Sequence, residues 1–119
     1  MIFFDSYAIL EIIKGSLNYE KYSETIFITN TLNLSEVFYS LIREIDEKIV
    51  LDIIDSLNFE FIEISAEIAI ESAKFKYKNK KLNLSYADCI GYITALKNNM
   101  KFLTGDKEFE RFGDVEFVK

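Results

Sequence analysis

Short apolar runs that alternate with helical periodicities constrain this chain more than any other feature it has. Met1–Phe4, Thr25–Thr29 (TIFIT), Phe59–Ile64, Lys101–Thr104 and Val115–Val118 are rich in aromatic and β-branched residues and read as strands. Ser6–Lys14 reads as a helix closed by Gly15. Asn33–Ile45 places Leu34, Val37, Phe38, Leu41, Ile42 and Ile45 on one helical face, and Glu47–Leu57 carries a similar stripe. Ser65 caps a helix to about Lys78, Ser85–Lys97 is a helix apolar on almost every side, and Asp106–Arg111 is a short helical turn. This alternation predicts a doubly wound, three-layer α/β/α fold around a central, mostly parallel five-stranded sheet. In such sheets ligands bind beyond the carboxyl ends of the strands, where the strand order reverses.

The length of 119 residues, with half of them hydrophobic and no linker or repeat, suits a single domain over residues 1–119. The apolar stretches are broken by charges well short of the ~20 residues of a membrane span. The N-terminus lacks the basic region of a signal peptide, and the one cysteine, Cys89, fits a reducing cytoplasm. A net charge of −6 argues against nucleic-acid binding over a broad basic surface. The chain has no histidine. That removes the commonest general base and the commonest nitrogen ligand, so hydrolytic chemistry here has to run on carboxylates, hydroxyls and an oxygen-preferring ion such as Mg²⁺ or Mn²⁺.

Asp5, Glu36, Asp88 and Asp106 each stand at the end of a predicted strand or near the start of a predicted helix. Each has a purely structural explanation. Asp5 and Asp106 fit as helix caps, while Glu36 and Asp88 follow Asn33 and Ser85 by three residues, the spacing of a capping box. Two observations point further. Asp88 is the only acid on an otherwise apolar helix, where a buried carboxylate is costly without a strong partner. The order of the four along the β/α alternation is also not something capping predicts.

That order resembles the PIN-domain family of metal-dependent ribonucleases, and within it the VapC-type toxins of type II toxin–antitoxin pairs. The resemblance rests on FFDSYAIL around Asp5, ITNTLNLSEVFYSL around Glu36, LSYADCIGYITAL around Asp88 and FLTGDKEF around Asp106, and covers essentially the whole chain. It implies a PIN-like fold and a catalytic, metal-binding role for Asp5, Glu36, Asp88 and Asp106 with Mg²⁺ or Mn²⁺ as cofactor. It also implies an RNA substrate cut by activated water to 5′-phosphate and 3′-hydroxyl ends, a small antitoxin as partner, and a homodimer. Thr104 matches a position where the family often has a supporting hydroxyl. A further acid follows the fourth in some members, for which Glu108 and Glu110 are candidates beside their reading as exposed turn acids.

Lys74, Lys76, Lys78, Lys80 and Lys81 form the one cationic cluster. It reads either as a solvated helix end or, through Lys78, Lys80 and Lys81, as a contact for RNA phosphates. Arg43 is a weaker candidate of the same kind, and no pattern among the aromatic residues marks a base-stacking platform. On the helix after Ser65, Ala66, Ala69, Ile70, Ala73 and Tyr77 form one face and Ile68 with Phe75 a second that packs inward or meets a partner. Two rival functions stay open: a non-catalytic PIN-like scaffold that binds proteins, and a receiver or phosphatase-type α/β domain. The second would need an acidic pair after the first strand, where only Asp5 stands, or an acid in place of Tyr7.

Overall fold

The structure, a computed structural model, describes residues 1–119. Five strands form, each at or inside the span read from the sequence: β1 (Ile2–Phe4), β2 (Phe27–Thr29), β3 (Phe59–Phe61), β4 (Lys101–Thr104) and β5 (Val115–Phe117). All ladder pairs are parallel. They fall into two hydrogen-bonded blocks, β1-β4-β5 and β2-β3, rather than one unbroken ladder. Where β2 comes alongside β1, side chains replace the ladder. The Thr29 hydroxyl donates to the Phe4 carbonyl at 2.7 Å, and the Asn33 amide donates to the same oxygen at 3.3 Å. Side by side the blocks run β3-β2-β1-β4-β5, so the order reverses between β1 and β4.

Strand alternation distributes the core to both faces. Phe3 and Phe102 point to one side, where they pack with Tyr92, Ile93 and Phe109. Phe4 and Leu103 point to the other, against Ala8, Ile9, Phe27, Val37 and Val50. Helices α1 (Ser6–Ile13), α2 (Thr31–Ile42) and α3 (Glu47–Ser56) cover the second face; α4 (Ala66–Lys78) and α5 (Tyr86–Lys97) cover the first. The fold is the three-layer α/β/α arrangement that the alternation predicts.

Two local features differ from the sequence expectation, and a third decides between alternatives it left open. Asn30, not Asn33, caps α2, with its side chain accepting from the Asn33 backbone N–H at 2.8 Å. Asn33 is therefore the third helical residue and Glu36 lies a turn further in, so capping no longer accounts for Glu36. A 3-10 turn over Leu17–Tyr22 precedes β2, tied to the C-terminus by the Tyr19 hydroxyl on the Val118 carbonyl and the Tyr22 hydroxyl on Glu116. On α4 it is Ile68 and Ser72, with Phe75, that face the core, so the Ile68–Phe75 face packs inward. The face carrying Ala66, Ala69, Ile70, Ala73 and Tyr77 is exposed.

Candidate functional site

Asp5 follows β1 immediately and is 3% exposed. One carboxylate oxygen accepts from the Ser6 backbone N–H at 2.9 Å, the other from the Thr104 hydroxyl at 2.7 Å. Thr104 closes β4, and its oxygen accepts in turn from the Asp106 backbone N–H at 3.1 Å. One hydroxyl thus joins the first and fourth acids across the point where the strand order reverses. Asp106 also caps the turn Lys107–Phe109 by accepting from the Glu108 N–H at 3.0 Å.

Ser6 serves Glu36 as well as Asp5. Its hydroxyl donates to Glu36 Oε1 at 3.0 Å, which brings the second turn of α2 to the start of α1. Asp88 sits in the first turn of α5 in a full capping box with Ser85, both bonds being 3.0 Å. Capping and a place in the site are therefore not exclusive for this residue. The residue is half-buried, with one carboxylate oxygen held by the Ser85 backbone N–H.

The acids act on one another's ionisation. Burial pushes the Asp5 carboxyl up to about 7, opposed by the Thr104 hydrogen bond and reinforced by the charges of Asp88 and Glu36. Burial likewise raises Glu36, which Ser6 partly offsets and Asp88 adds to. Asp88 is raised by burial first, with the Ser85 hydrogen bonds and Lys76 lowering it and Asp106 raising it. The two ion pairs of the molecule, Lys74–Glu71 and Lys97–Glu67, leave all four acids unpaired.

The donor set suits a hard divalent cation: oxygen ligands alone, no imidazole, and a buried Cys89 whose thiol burial pushes up to about 11. As the side chains stand, no three acids close around one point. Asp5 is locked by its two hydrogen bonds, so closure around an ion falls to rotation of the half-buried Glu36, Asp88 and Asp106 or to bridging waters.

The PIN-domain family pattern matches residues 2–115. The chain belongs to the PIN-domain family. No curated protein matches it by sequence. Among solved structures, this PIN domain is similar to a toxin–antitoxin complex from Klebsiella pneumoniae, with TM-score 0.76, 19% identity, and 98% of this chain and 96% of that one covered. It is similar to VapBC2 from Rickettsia felis, solved on a DNA fragment from its promoter, with TM-score 0.71, 19% identity and full coverage of both chains. It is also similar to VapC20 from Mycobacterium tuberculosis, a sarcin–ricin-loop-cleaving toxin, with TM-score 0.77, 14% identity and full coverage of both. At these identities the likeness is one of fold.

In this PIN domain the remaining sequence candidates are mostly exposed. Glu110 is exposed, and Glu108 is half-buried beside Asp106. Lys78, Lys80 and Lys81 are exposed at the end of α4 and in the turn after it. Arg43 is exposed, with its guanidinium 5.7 Å from the centre of the Tyr39 ring. One residue escapes a reading of the sequence: Ser6, next to Asp5, carries a signal only once Glu36 is known to lie beside it. Within the lysine cluster it is Lys76 whose charge acts on Asp88, and its ammonium donates to the Leu84 carbonyl. No helix is long and apolar enough to cross a membrane.

Proposed function

We propose that this PIN domain is a divalent-metal-dependent ribonuclease and the toxin of a type II toxin–antitoxin pair. The observation that carries the reading is the Asp5–Thr104–Asp106 link at the strand-order reversal, with Glu36 and Asp88 turned toward it and no cation among them but Lys76. Four acids with one lysine among them are costly to hold together unless an ion completes the site. When bound by Asp5, Glu36, Asp88 and Asp106, Mg²⁺ or Mn²⁺ supplies a positive centre for a phosphate oxygen and makes water a better nucleophile.

The chain's own groups have distinct tasks in this reading. Thr104 fixes the rotamer of Asp5 and the backbone of Asp106, so the two acids keep one spacing. Ser6 and Ser85 aim Glu36 and Asp88, which suits these carboxylates to orient the attacking water. Water oxygen attacks phosphorus in line, the bond to the 3′ oxygen breaks, and that oxygen takes up a proton. The products are a 5′-phosphate and a 3′-hydroxyl, with no use of the 2′-hydroxyl. Lys78, Lys80 and Lys81 meet the flanking phosphates.

Two of the similar structures are toxin–antitoxin assemblies, which supports a small antitoxin as partner here. A homodimer belongs to the same reading. Exposed apolar side chains on α2, α3 and α4, including Ile42, Leu51 and Ile70, offer surface for such contacts.

The purified protein is expected to cleave structured RNA in Mg²⁺ or Mn²⁺ and to stop in EDTA. Cleavage that continues undiminished in EDTA rules out the metal-dependent reading. Thr104→Val, which keeps shape and removes the hydroxyl, is expected to lower cleavage roughly 10–100-fold with the fold intact. Wild-type rates in Thr104→Val would show that the Asp5–Asp106 link has no part in the chemistry.

A further inference from the structure

The aromatic residues do not all join the core. Tyr86, the first residue of α5, is 62% exposed. A tyrosine there gains no burial and is a mediocre helix former, so neither packing nor propensity accounts for it. Its surroundings are ordered nonetheless. The residue before it caps α5 and holds Asp88 in a reciprocal pair of bonds, which fixes the backbone from which the ring projects. The Lys76 ammonium, from α4, lies 5.2 Å from the ring centre. The same ammonium donates to the Leu84 carbonyl, so it is tethered and not a freely waving surface charge.

We propose that Tyr86, backed by Lys76, is a stacking platform for an unpaired nucleobase at the rim of the acidic site. The proposal rests on the ribonuclease reading. A cation over one side of the ring leaves the rest of an exposed aromatic surface for a planar ligand, and the stacked ring gains from the positive charge behind it. Lys76 joins the ring to the acids: its ammonium lies 5.2 Å from the centre of Tyr86 and its charge acts on Asp88, so a base on the ring belongs to a nucleotide near the phosphate at the acids. Bases inside a duplex already stack on each other, so the platform accepts only a base freed in a loop, bulge or end. Charge gives it a reason to exist. A domain of net charge −6 holds phosphates weakly outside its few lysines, and stacking is attraction that does not depend on net charge.

The test uses the full chain, a labelled single-stranded oligouridylate and an abasic ribose-phosphate oligomer of equal length, compared by fluorescence anisotropy, with cleavage followed in parallel. Wild type is expected to prefer the base-bearing strand roughly 10-fold, Tyr86→Ala to erase that preference, and Tyr86→Phe to keep it. Binding of the abasic oligomer should be the same in all three. An unchanged preference in Tyr86→Ala overturns the platform. So does a Tyr86→Ala chain that binds both strands normally but loses self-association, since the ring then serves a protein contact. Base-dependent binding through Tyr86 without cleavage in any metal overturns the ribonuclease reading and leaves the platform standing.

Discussion

Asp5→Asn is expected to make the metal-free protein more stable at neutral pH while abolishing its cleavage of RNA. The two effects share one cause. The buried Asp5 carboxyl is pushed from 3.8 up to about 7, so in the absence of metal its ionisation opposes folding. Near pH 3 both folded and unfolded chains hold the proton. As pH rises through about 4 the unfolded chain releases it and the folded chain does not, so stability falls with pH until about 7 and then levels. Asparagine has no such ionisation and still accepts from Ser6 through its one oxygen, while the bond from the Thr104 hydroxyl is lost and takes back part of the gain. In EDTA at pH 8 the variant should exceed wild type by on the order of 2–4 kcal/mol in urea unfolding, and the gap should close toward pH 4. Nuclease activity should drop at least about 100-fold, as expected for loss of a metal ligand. Added Mn²⁺ should raise the melting temperature of wild type and not of the variant. Full activity in Asp5→Asn would end the catalytic reading, and equal pH profiles in EDTA would show that Asp5 is not strained.

Gly105→Ala is expected to damage the fold more than any other single methyl group. Gly105 lies between Thr104 and Asp106, and its backbone needs no unusual angle. The constraint is space. A Cβ there would stand 2.2 Å from Tyr7 Cε1 and 2.5 Å from the Val118 carbonyl oxygen. The tyrosine can swing away, but the carbonyl belongs to the chain whose N–H donates to the Thr104 carbonyl at 2.9 Å. The backbone after β4 must therefore move. A loss of about 3 kcal/mol follows from overpacking of this kind. Because the movement displaces Asp106 from Thr104, cleavage should fall further than the unfolded fraction explains. Tyr7→Ala added to Gly105→Ala should restore only part of the stability. A midpoint in urea within error of wild type would mean the gap is wider than the geometry indicates.

How far the sequence could be read depended on how local each cause was. The limits of β4 and the Ser65 cap of α4 were legible because their signals lie within a few residues of each other. The start of α2 was not, since Asn30 and Asn33 are equally good caps on paper and only the β2 position, set by Phe27 and Thr29 in the core, decides between them. The turn Leu17–Tyr22 depends on partners at Val118 and Glu116, far along the chain, and has no local signature. The four acids could be listed from their order, yet the hydroxyls that tie them together became visible only in three dimensions. The exposed rings are equally hidden from the sequence, because only the packing of the helices leaves Tyr39, Tyr77 and Tyr86 in water.

The side-chain seam between β1 and β2 has a consequence for how the molecule comes apart. Without a ladder there, the β2-β3 block and the β1-β4-β5 block are tied at the Phe4 carbonyl by one threonine hydroxyl and one asparagine amide. Such a boundary is where sub-global opening divides a protein into separately exchanging units. Glu36 rides with the first block, while Asp5 and Asp106 ride with the second. In the proposed site an ion held by Glu36 together with Asp5 would also be a rivet across the seam, and loading it would lock the two halves of the sheet in the same step.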